Sequence, residues 1–481
     1  MKSLKGHFSS YKYFFIFIVC AATHLPGLFN PILDYHGWAQ TLRASIARNY
    51  AQTDMNFFHP QVDYQGHNPN PAATQFPLYS YLVALLYKIF GVHDCWGRVV
   101  SLFFASFSAV ALYFLAGRLL AESAAFGAAL IYCFIPVRIY FMRAFMPESM
   151  AISALLAGFY CVLRWTEQKK FFPYGWASAL LLALACLLKL PYTFLLVVPV
   201  WVICQKEKTA ILKNLDVWLW ISIIGLSMSA WYYYTTLGIP TLLNSQGIVH
   251  GELNLWVELR DLEFWSQIFL SRFPELLTTY AGLLFFLFGL GAAVNLNNGY
   301  LAVWLCATVV YTLASGHYSR VHQYASVPFA PVNACIIAQG AQVYWQKWSG
   351  RKWARVLFYF LLLSIPIHAA LRIKHWYRLD EKWVLRAALQ AAKISTPQDL
   401  FYINSSNQPF HLYHLKRKGW VRPIESMSDL DLRLLPQVAR FYLTPNYADW
   451  NAHQVYFKEH FKLLVEDPDF LIYDLRPAPK N

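Results

Sequence analysis

Apolar runs separated by short polar breaks govern the first three quarters of the chain. Runs long enough to span a bilayer, or nearly so, fall at roughly 13–29, 98–117, 124–140, 148–165, 174–190, 191–204, 216–236, 276–294, 299–314, 324–342 and 354–371. About eleven transmembrane helices are therefore expected, with a tight hairpin at Lys189-Leu190-Pro191, where proline cannot continue a helix. One long interruption, Asp34 to Phe90, separates the first two runs. It opens with LDYHGWAQTLRASIARNY, passes through FFHPQVDYQG and ends in the apolar QFPLYSYLVALLYKIFG. Within it, Leu42, Ile46 and Tyr50 recur at helical spacing over 39–51. That pattern predicts a short amphipathic helix, lying on the membrane or packed on the protein.

Beyond residue 371 the pattern changes. Charges alternate, and strand-like pieces appear at Leu400-Phe401-Tyr402-Ile403, Arg440-Phe441-Tyr442-Leu443 and Phe470-Leu471-Ile472-Tyr473 with a helical pattern between them. The expected architecture is an all-α polytopic membrane domain over 1–371, with interfacial helices in its first loop. A small α/β domain follows over 372–481.

Composition agrees with a membrane protein. The chain is 57% hydrophobic and 14% charged, against about a quarter charged in soluble domains. The net charge of +14 does not indicate nucleic-acid binding, because much of the excess sits in short clusters between apolar runs. Those clusters decide the topology. If the thirteen residues Leu78 to Phe90, with Lys88 among them, crossed the membrane, the groups Arg164/Lys169/Lys170, Lys206/Lys208/Lys213 and Lys347/Arg351/Lys352/Arg355 would all face outward. An interfacial helix there keeps them inside with Lys2, Lys5 and Lys12. The N-terminus is then cytoplasmic. The loops 30–97 and 237–275 and the tail 372–481 are exported. The first apolar run reads as an uncleaved signal anchor, since no convincing small-residue cleavage site follows it. The eight cysteines contain no CxxC pair and read as small core residues.

Ionisable residues beside or within spans are functional candidates. Asp34, beside Tyr35, His36 and Trp38, has the chemistry of a general base that deprotonates an acceptor hydroxyl or amine; the alternative is a solvated helix cap at Gly37. Arg138, Arg143 and Glu148 fall together in VRIYFMRAFMPES, and the topology brings Lys189 and Arg320 to the same face. Guanidinium forks bind phosphate oxygens, so this set suits a lipid-linked phosphate; the competing reading is side chains snorkelling at helix ends. The histidines lack a compact metal spacing, although a carboxylate pair plus histidine across loops leaves a divalent ion open. No glycine-rich phosphate loop, Ser-His-Asp arrangement or HExxH helix occurs.

The order of these pieces resembles a family, the bacterial integral-membrane glycosyltransferases of the GT-C fold, which includes protein O-mannosyltransferases and the lipid A aminoarabinose transferase. The likeness rests on Asp34-Tyr35-His36-Gly37-Trp38-Ala39-Gln40, Ile46-Ala47-Arg48-Asn49-Tyr50, Pro60-Gln61-Val62-Asp63, Phe76-Pro77-Leu78-Tyr79 and Phe90-Gly91. It continues through Arg143, Met146-Pro147-Glu148, Lys189 and His322-Gln323-Tyr324. The resemblance implies sugar transfer from a polyprenyl-phosphate carrier to a lipid, glycan or protein on the exported face of a bacterial inner membrane. By it, Asp34 is the base and Glu148 the second acidic residue. Arg143, Lys189 and Arg320, with Arg138, hold the carrier phosphate, and His36, Trp38, Gln40, His322 and Tyr324 contact sugar or acceptor. The chain departs from the family's pattern at Ala39, where an Arg often stands, and at Gln75, where a Glu often stands; the missing Glu weakens the case for a metal. The rival expectation is a transporter or flippase of lipid-linked glycans. Such proteins more often show paired halves with broken helices at the midplane, and this sequence shows no internal repeat.

Overall fold

The structure is a computed structural model that describes residues 10–64, 66–67, 71–72, 75–238, 260–295, 299–406, 409–446 and 451–476. Lys2, Lys5 and residues 239–259 of the loop 237–275 lie outside the described residues. Each predicted apolar run contains a helix. They are α1 (Ser10–Thr23), α4 (Cys95–Ala116), α5 (Glu122–Cys133), α6 (Pro136–Phe141), α7 (Glu148–Gln168), α8 (Trp176–Leu188), α9 (Val197–Glu207) and α10 (Leu215–Tyr233). Further on come α11 (Leu262–Trp265, continued by a π-helix Ser266–Thr278), α12 (Tyr280–Asn295), α13 (Tyr300–Ala314), α14 (Gly316–Val321), α15 (Phe329–Trp348) and α16 (Lys352–Ile373). The first loop supplies α2 (Gly37–Gln52) and α3 (Leu78–Phe90).

Length and composition alone single out fewer spans than the eleven expected. Among the described residues, five helices are long and apolar enough to cross a membrane, or six if the pair Leu262–Thr278 and Tyr280–Ala292, bent by 101°, is one span. The other runs fall short for identifiable reasons. α5 stops after 12 residues ahead of Pro136. α15 is long but carries Asn333, Gln339, Gln342 and Gln346. α12 and α15 approach so closely that a Cβ on Gly340 would lie 1.8 Å from the Phe285 carbonyl oxygen. Gly340→Ala is therefore expected to lower the melting temperature in detergent, at a cost of about 1–3 kcal/mol. An unchanged Tm would mean that the two backbones do not touch.

α2 settles the choice left open by its periodicity. Thirteen of its 16 residues are buried, on all faces, so it packs inside the protein and does not lie on the membrane. α3 forms over the thirteen residues read as an interfacial helix, with Tyr79, Val83 and Tyr87 buried and Ile89 and Phe90 exposed.

The tail folds as α17 (Trp383–Ile394), β1 (Phe401–Ile403), α18 (Phe410–Leu415), β2 (Gly419–Val421), α19 (Asp429–Val438), β3 (Phe441–Pro445), α20 (Asn451–His460), β4 (Lys462–Glu466) and β5 (Phe470–Asp474). The sheet order is β2-β1-β3-β5-β4. β1 is parallel to β2 and β3, with Phe401 opposite Gly419 and Phe441. β5 runs antiparallel to β3 and β4. β1, β3 and β5 are buried along their whole length, as strands covered on two faces must be. One face of the sheet joins the core that also holds the membrane helices, through Phe401, Ile403, Phe441 and Leu443. The first loop is stitched to the tail: Gly419 N donates to Asp63 O at 3.1 Å and Gly66 N to Gly419 O at 3.0 Å.

Candidate active site

The first apolar run ends before a short turn that buries Asp34. Its side chain is fully shielded from solvent. Arg98, at the start of α4, donates through Nη2 to both carboxylate oxygens at 3.2 Å. Arg143, just after α6, donates through Nη2 to Oδ2 at 2.5 Å, and Gln40 Nε2 donates to Oδ1 at 2.8 Å. The guanidiniums are themselves fixed. Arg98 also donates to the carbonyls of Gly27 and Asn30, and Arg143 to that of Gly27. Arg143 also lies 5.0 Å from the ring of Tyr140 and 4.8 Å from that of Tyr377. Taking charges out of water is costly, and the pairing offsets that cost, although Nε of Arg98 and Nε of Arg143 are buried with no hydrogen-bond partner among the described residues.

A second pair lies across from this cluster. Glu148 opens α7 and Lys189 follows α8, with Lys189 Nζ 2.5 Å from Glu148 Oε1. Lys189 also donates to the Tyr318 hydroxyl at 3.4 Å and stands 5.2 Å from the Tyr324 ring. The helix break at Leu190-Pro191 places this ammonium, because Lys189 leaves the helical conformation there. The N-terminus of α7 favours the Glu148 charge.

Between the two pairs runs an aromatic wall. Tyr35 stacks on Trp376 at 5.2 Å. The His36 ring lies 5.3 Å from Tyr324 and 5.8 Å from His322, and His322 stacks on Tyr324 at 4.9 Å. Trp38 closes one side, 5.5 Å from His322. His36 adopts φ 57°, a left-handed conformation that turns its ring back onto Gln323, with Nε2 3.0 Å from Oε1. Nδ1 of His36 and Nδ1 of His322 are buried with no hydrogen-bond partner among the described residues.

Known proteins share this frame. A model of the dolichyl-phosphate-mannose-protein mannosyltransferase family matches residues 70–234. The crystal structure of ArnT from Cupriavidus metallidurans bound to undecaprenyl phosphate aligns with a TM-score of 0.67 at 12% identity, covering 98% of this chain and 100% of that one. The chain has the GT-C fold. The Archaeoglobus fulgidus oligosaccharyltransferase in complex with Zn and sulfate aligns at a TM-score of 0.61 and 11% identity, over 96% of this chain and 73% of its own. AglB of the same organism, with an inhibitory peptide and dolichol-phosphate, gives 0.52 at 12%, over 90% and 69%. No curated protein matches the chain in sequence.

Within this GT-C frame the candidate residues separate. Asp34, Gln40 and Arg143 form one cluster; Glu148, Lys189 and Tyr324 meet in the other; His36, Trp38 and His322 line the wall between them. Gln40 is committed at its two ends, since its Oε1 accepts from Phe145 N at 3.0 Å. Arg138 points elsewhere. It is buried against Cys20 Sγ at 2.9 Å, the Ala105 carbonyl and the Tyr132 ring. Arg320 pairs with Asp261. Arg98 escaped the sequence reading because it begins an apolar run, yet an arginine in such a run is itself the signal. Gln323 and Trp376 carried no signal beyond their neighbours. Among the described residues no three His, Cys, Asp or Glu side chains converge as metal ligands do.

Burial, with the positive charges of Lys189 and Arg272 and the rings of His36 and His317, pushes His322 down to about 3. Burial likewise lowers His36. An unfolded histidine takes its proton near 6.5, whereas folded His322 refuses it until about 3. The unfolded state thus binds more protons in that window, and stability falls as pH drops from 6.5 toward 3. His322→Gln is expected to flatten the dependence of Tm on pH between about 7 and 5. An identical slope in the variant would assign the acid sensitivity to other groups.

Proposed function

We propose that the protein transfers a sugar from a polyprenyl-phosphate carrier to a lipid, glycan or protein acceptor at the exported face of a bacterial inner membrane. The single observation that carries this reading is the pair of buried carboxylate–cation clusters, Asp34 with Arg98 and Arg143 and Glu148 with Lys189, facing one aromatic wall in a GT-C fold. The wall suits a sugar ring, whose C–H faces stack on Tyr35, Trp38 and Tyr324, and the unpartnered Nδ1 atoms of His36 and His322 suit its hydroxyls. The relatives bound to undecaprenyl phosphate and dolichol-phosphate support a lipid-phosphate donor.

Asp34 acts as the general base in this mechanism. Its oxygens are occupied by donors, so the carboxylate becomes available only when one guanidinium leaves it. Arg143 is suited to that exchange: moving its Nη2 from Asp34 to the carrier phosphate keeps the guanidinium paired and frees one lone pair of Oδ2, which Arg98 still contacts at 3.2 Å. The acceptor hydroxyl or amine then gives its proton to Asp34 as its oxygen or nitrogen attacks the anomeric carbon. The bond from that carbon to the phosphate oxygen breaks, and the carrier phosphate leaves with the electron pair, its charge met by Arg143 and Lys189. Glu148 holds Lys189 in place. Arg138 and Arg320, first grouped with the phosphate-binding cations, have no part in this scheme. A divalent ion held by a carboxylate and histidine remains a proposal tested by chelation of the purified protein, where a loss of transfer restored by one metal supports it. The transfer itself is tested by mass spectrometry of envelope glycolipids and glycoproteins with and without the gene. Loss of one saccharide from a defined acceptor is expected, and identical profiles would overturn the reading.

A further inference from the structure

Arg138 is a buried cation that the transfer chemistry leaves unused. Its side chain is fully shielded from solvent, and Nε and Nη1 have no hydrogen-bond partner among the described residues. Nη2 donates to the Ala105 carbonyl at 2.7 Å and to Cys20 Sγ at 2.9 Å, and the guanidinium lies 4.0 Å from the Tyr132 ring. A buried arginine beside a span ordinarily meets a carboxylate. Arg138 meets a sulfur.

That sulfur has a second thiol beside it. Cys133 is a side-chain hydrogen-bond partner of Cys20, and both cysteines are free and fully buried. The packing of their helices sets the contact. α1 and α5 run side by side in the same direction, with Lys12 paired to Glu122 in their first turns and the Phe15 ring 6.3 Å from that of Phe126 midway. Cys20 lies in the last turn of α1, and Cys133 is the final residue of α5. We infer that Cys20 and Cys133 form a reversible disulfide when a small neutral peroxide reaches them. The Cys20 sulfur attacks one peroxide oxygen; an S–O bond forms, the O–O bond breaks, and water leaves with the thiol proton. The Cys133 sulfur then attacks Cys20 Sγ, forming the S–S bond and expelling a second water that carries the Cys133 proton. Two thiols are oxidised by two electrons and the peroxide is reduced to two waters. The guanidinium of Arg138 stabilises the negative charge carried by Cys20 during its attack. The linkage would join α1, whose following turn carries Asp34, to α5, which leads through α6 to Arg143. It would therefore brace the carboxylate–guanidinium pair from below. The proposed orientation puts these helix ends at the exported face, where disulfides persist; only that setting rests on the function proposed above.

The test reads the thiols of purified full-length protein and needs neither sugar transfer nor a known orientation. The protein in nanodiscs is treated with hydrogen peroxide, denatured in excess alkylating agent and digested for mass spectrometry, with and without dithiothreitol. A dithiothreitol-sensitive Cys20–Cys133 linkage is expected, with the other cysteines recovered as alkylated thiols. Cys133→Ser should halt the reaction at a Cys20 sulfenic acid that dimedone captures, whereas Cys20→Ser should leave Cys133 a free thiol. Arg138→Met should slow the linkage about tenfold, and Arg138→Lys should stay nearer the parent rate. The two serine variants decide the matter if Arg138→Met does not fold. Absence of the linkage, equal linkage to another cysteine, or dimedone on Cys133 in the Cys20→Ser protein would overturn the proposal. An unchanged rate in folded Arg138→Met would do the same.

Discussion

Asp34→Asn protein, reconstituted with a lipid-linked sugar and acceptor, is expected to transfer sugar at least about a hundredfold more slowly than the parent, the lower bound for loss of a general base. It should also be less stable. The carboxamide leaves Arg98 and Arg143 buried without a counter-charge, and breaking a buried pair on one side costs about 3–5 kcal/mol. Rate and stability can be separated with a second variant, Asp34→Asn combined with Arg143→Met. Removing one of the orphaned guanidiniums should recover part of the Tm and none of the rate. Normal transfer by Asp34→Asn would refute the base assignment, and transfer restored in the double variant would reduce Asp34 to a structural counter-ion.

The pair at Glu148 gives the next largest effect and a different kinetic signature. Lys189→Met removes the cation proposed to meet the carrier phosphate, and hydrogen bonds to charged groups contribute about 1.5–3 kcal/mol. KM for the lipid-linked sugar should rise about ten- to a hundredfold. Glu148→Gln should leave that KM closer to the parent value and lower Tm, because the partner it strands is Lys189, 2.5 Å away and 5% exposed. If Lys189→Met leaves KM unchanged, the phosphate is held elsewhere.

The sequence made the two clusters readable as types and not as partners. Asp34, Arg143, Glu148 and Lys189 stood out because charge beside apolar chain is costly, which is a local property. That Arg143 faces Asp34 while Lys189 faces Glu148 depends on how α4, α6, α7 and α8 cross, and no periodicity encodes a crossing. Arg138 shows the limit. It has the same residue type as Arg143, five positions earlier, yet α6 turns it toward Cys20 and Tyr132. β1, β3 and β5 were legible as continuous apolar runs because they are central. β2 was not, since Gly419-Trp420-Val421 is three residues long and follows a basic stretch. β4 was missed as an edge strand with Lys462 and Glu466 exposed.

The hydrogen bonds that tie Gly419 to Asp63 and Gly66 carry a consequence for biosynthesis. The loop bearing Asp34 leaves the ribosome among the first hundred residues, and the strand that secures it lies in the last hundred. Trp376 and Tyr377, which pack on Tyr35 and Arg143, also come late. Chain order and spatial order thus run opposite ways, and a copy halted before its tail is made has every span and no finished site.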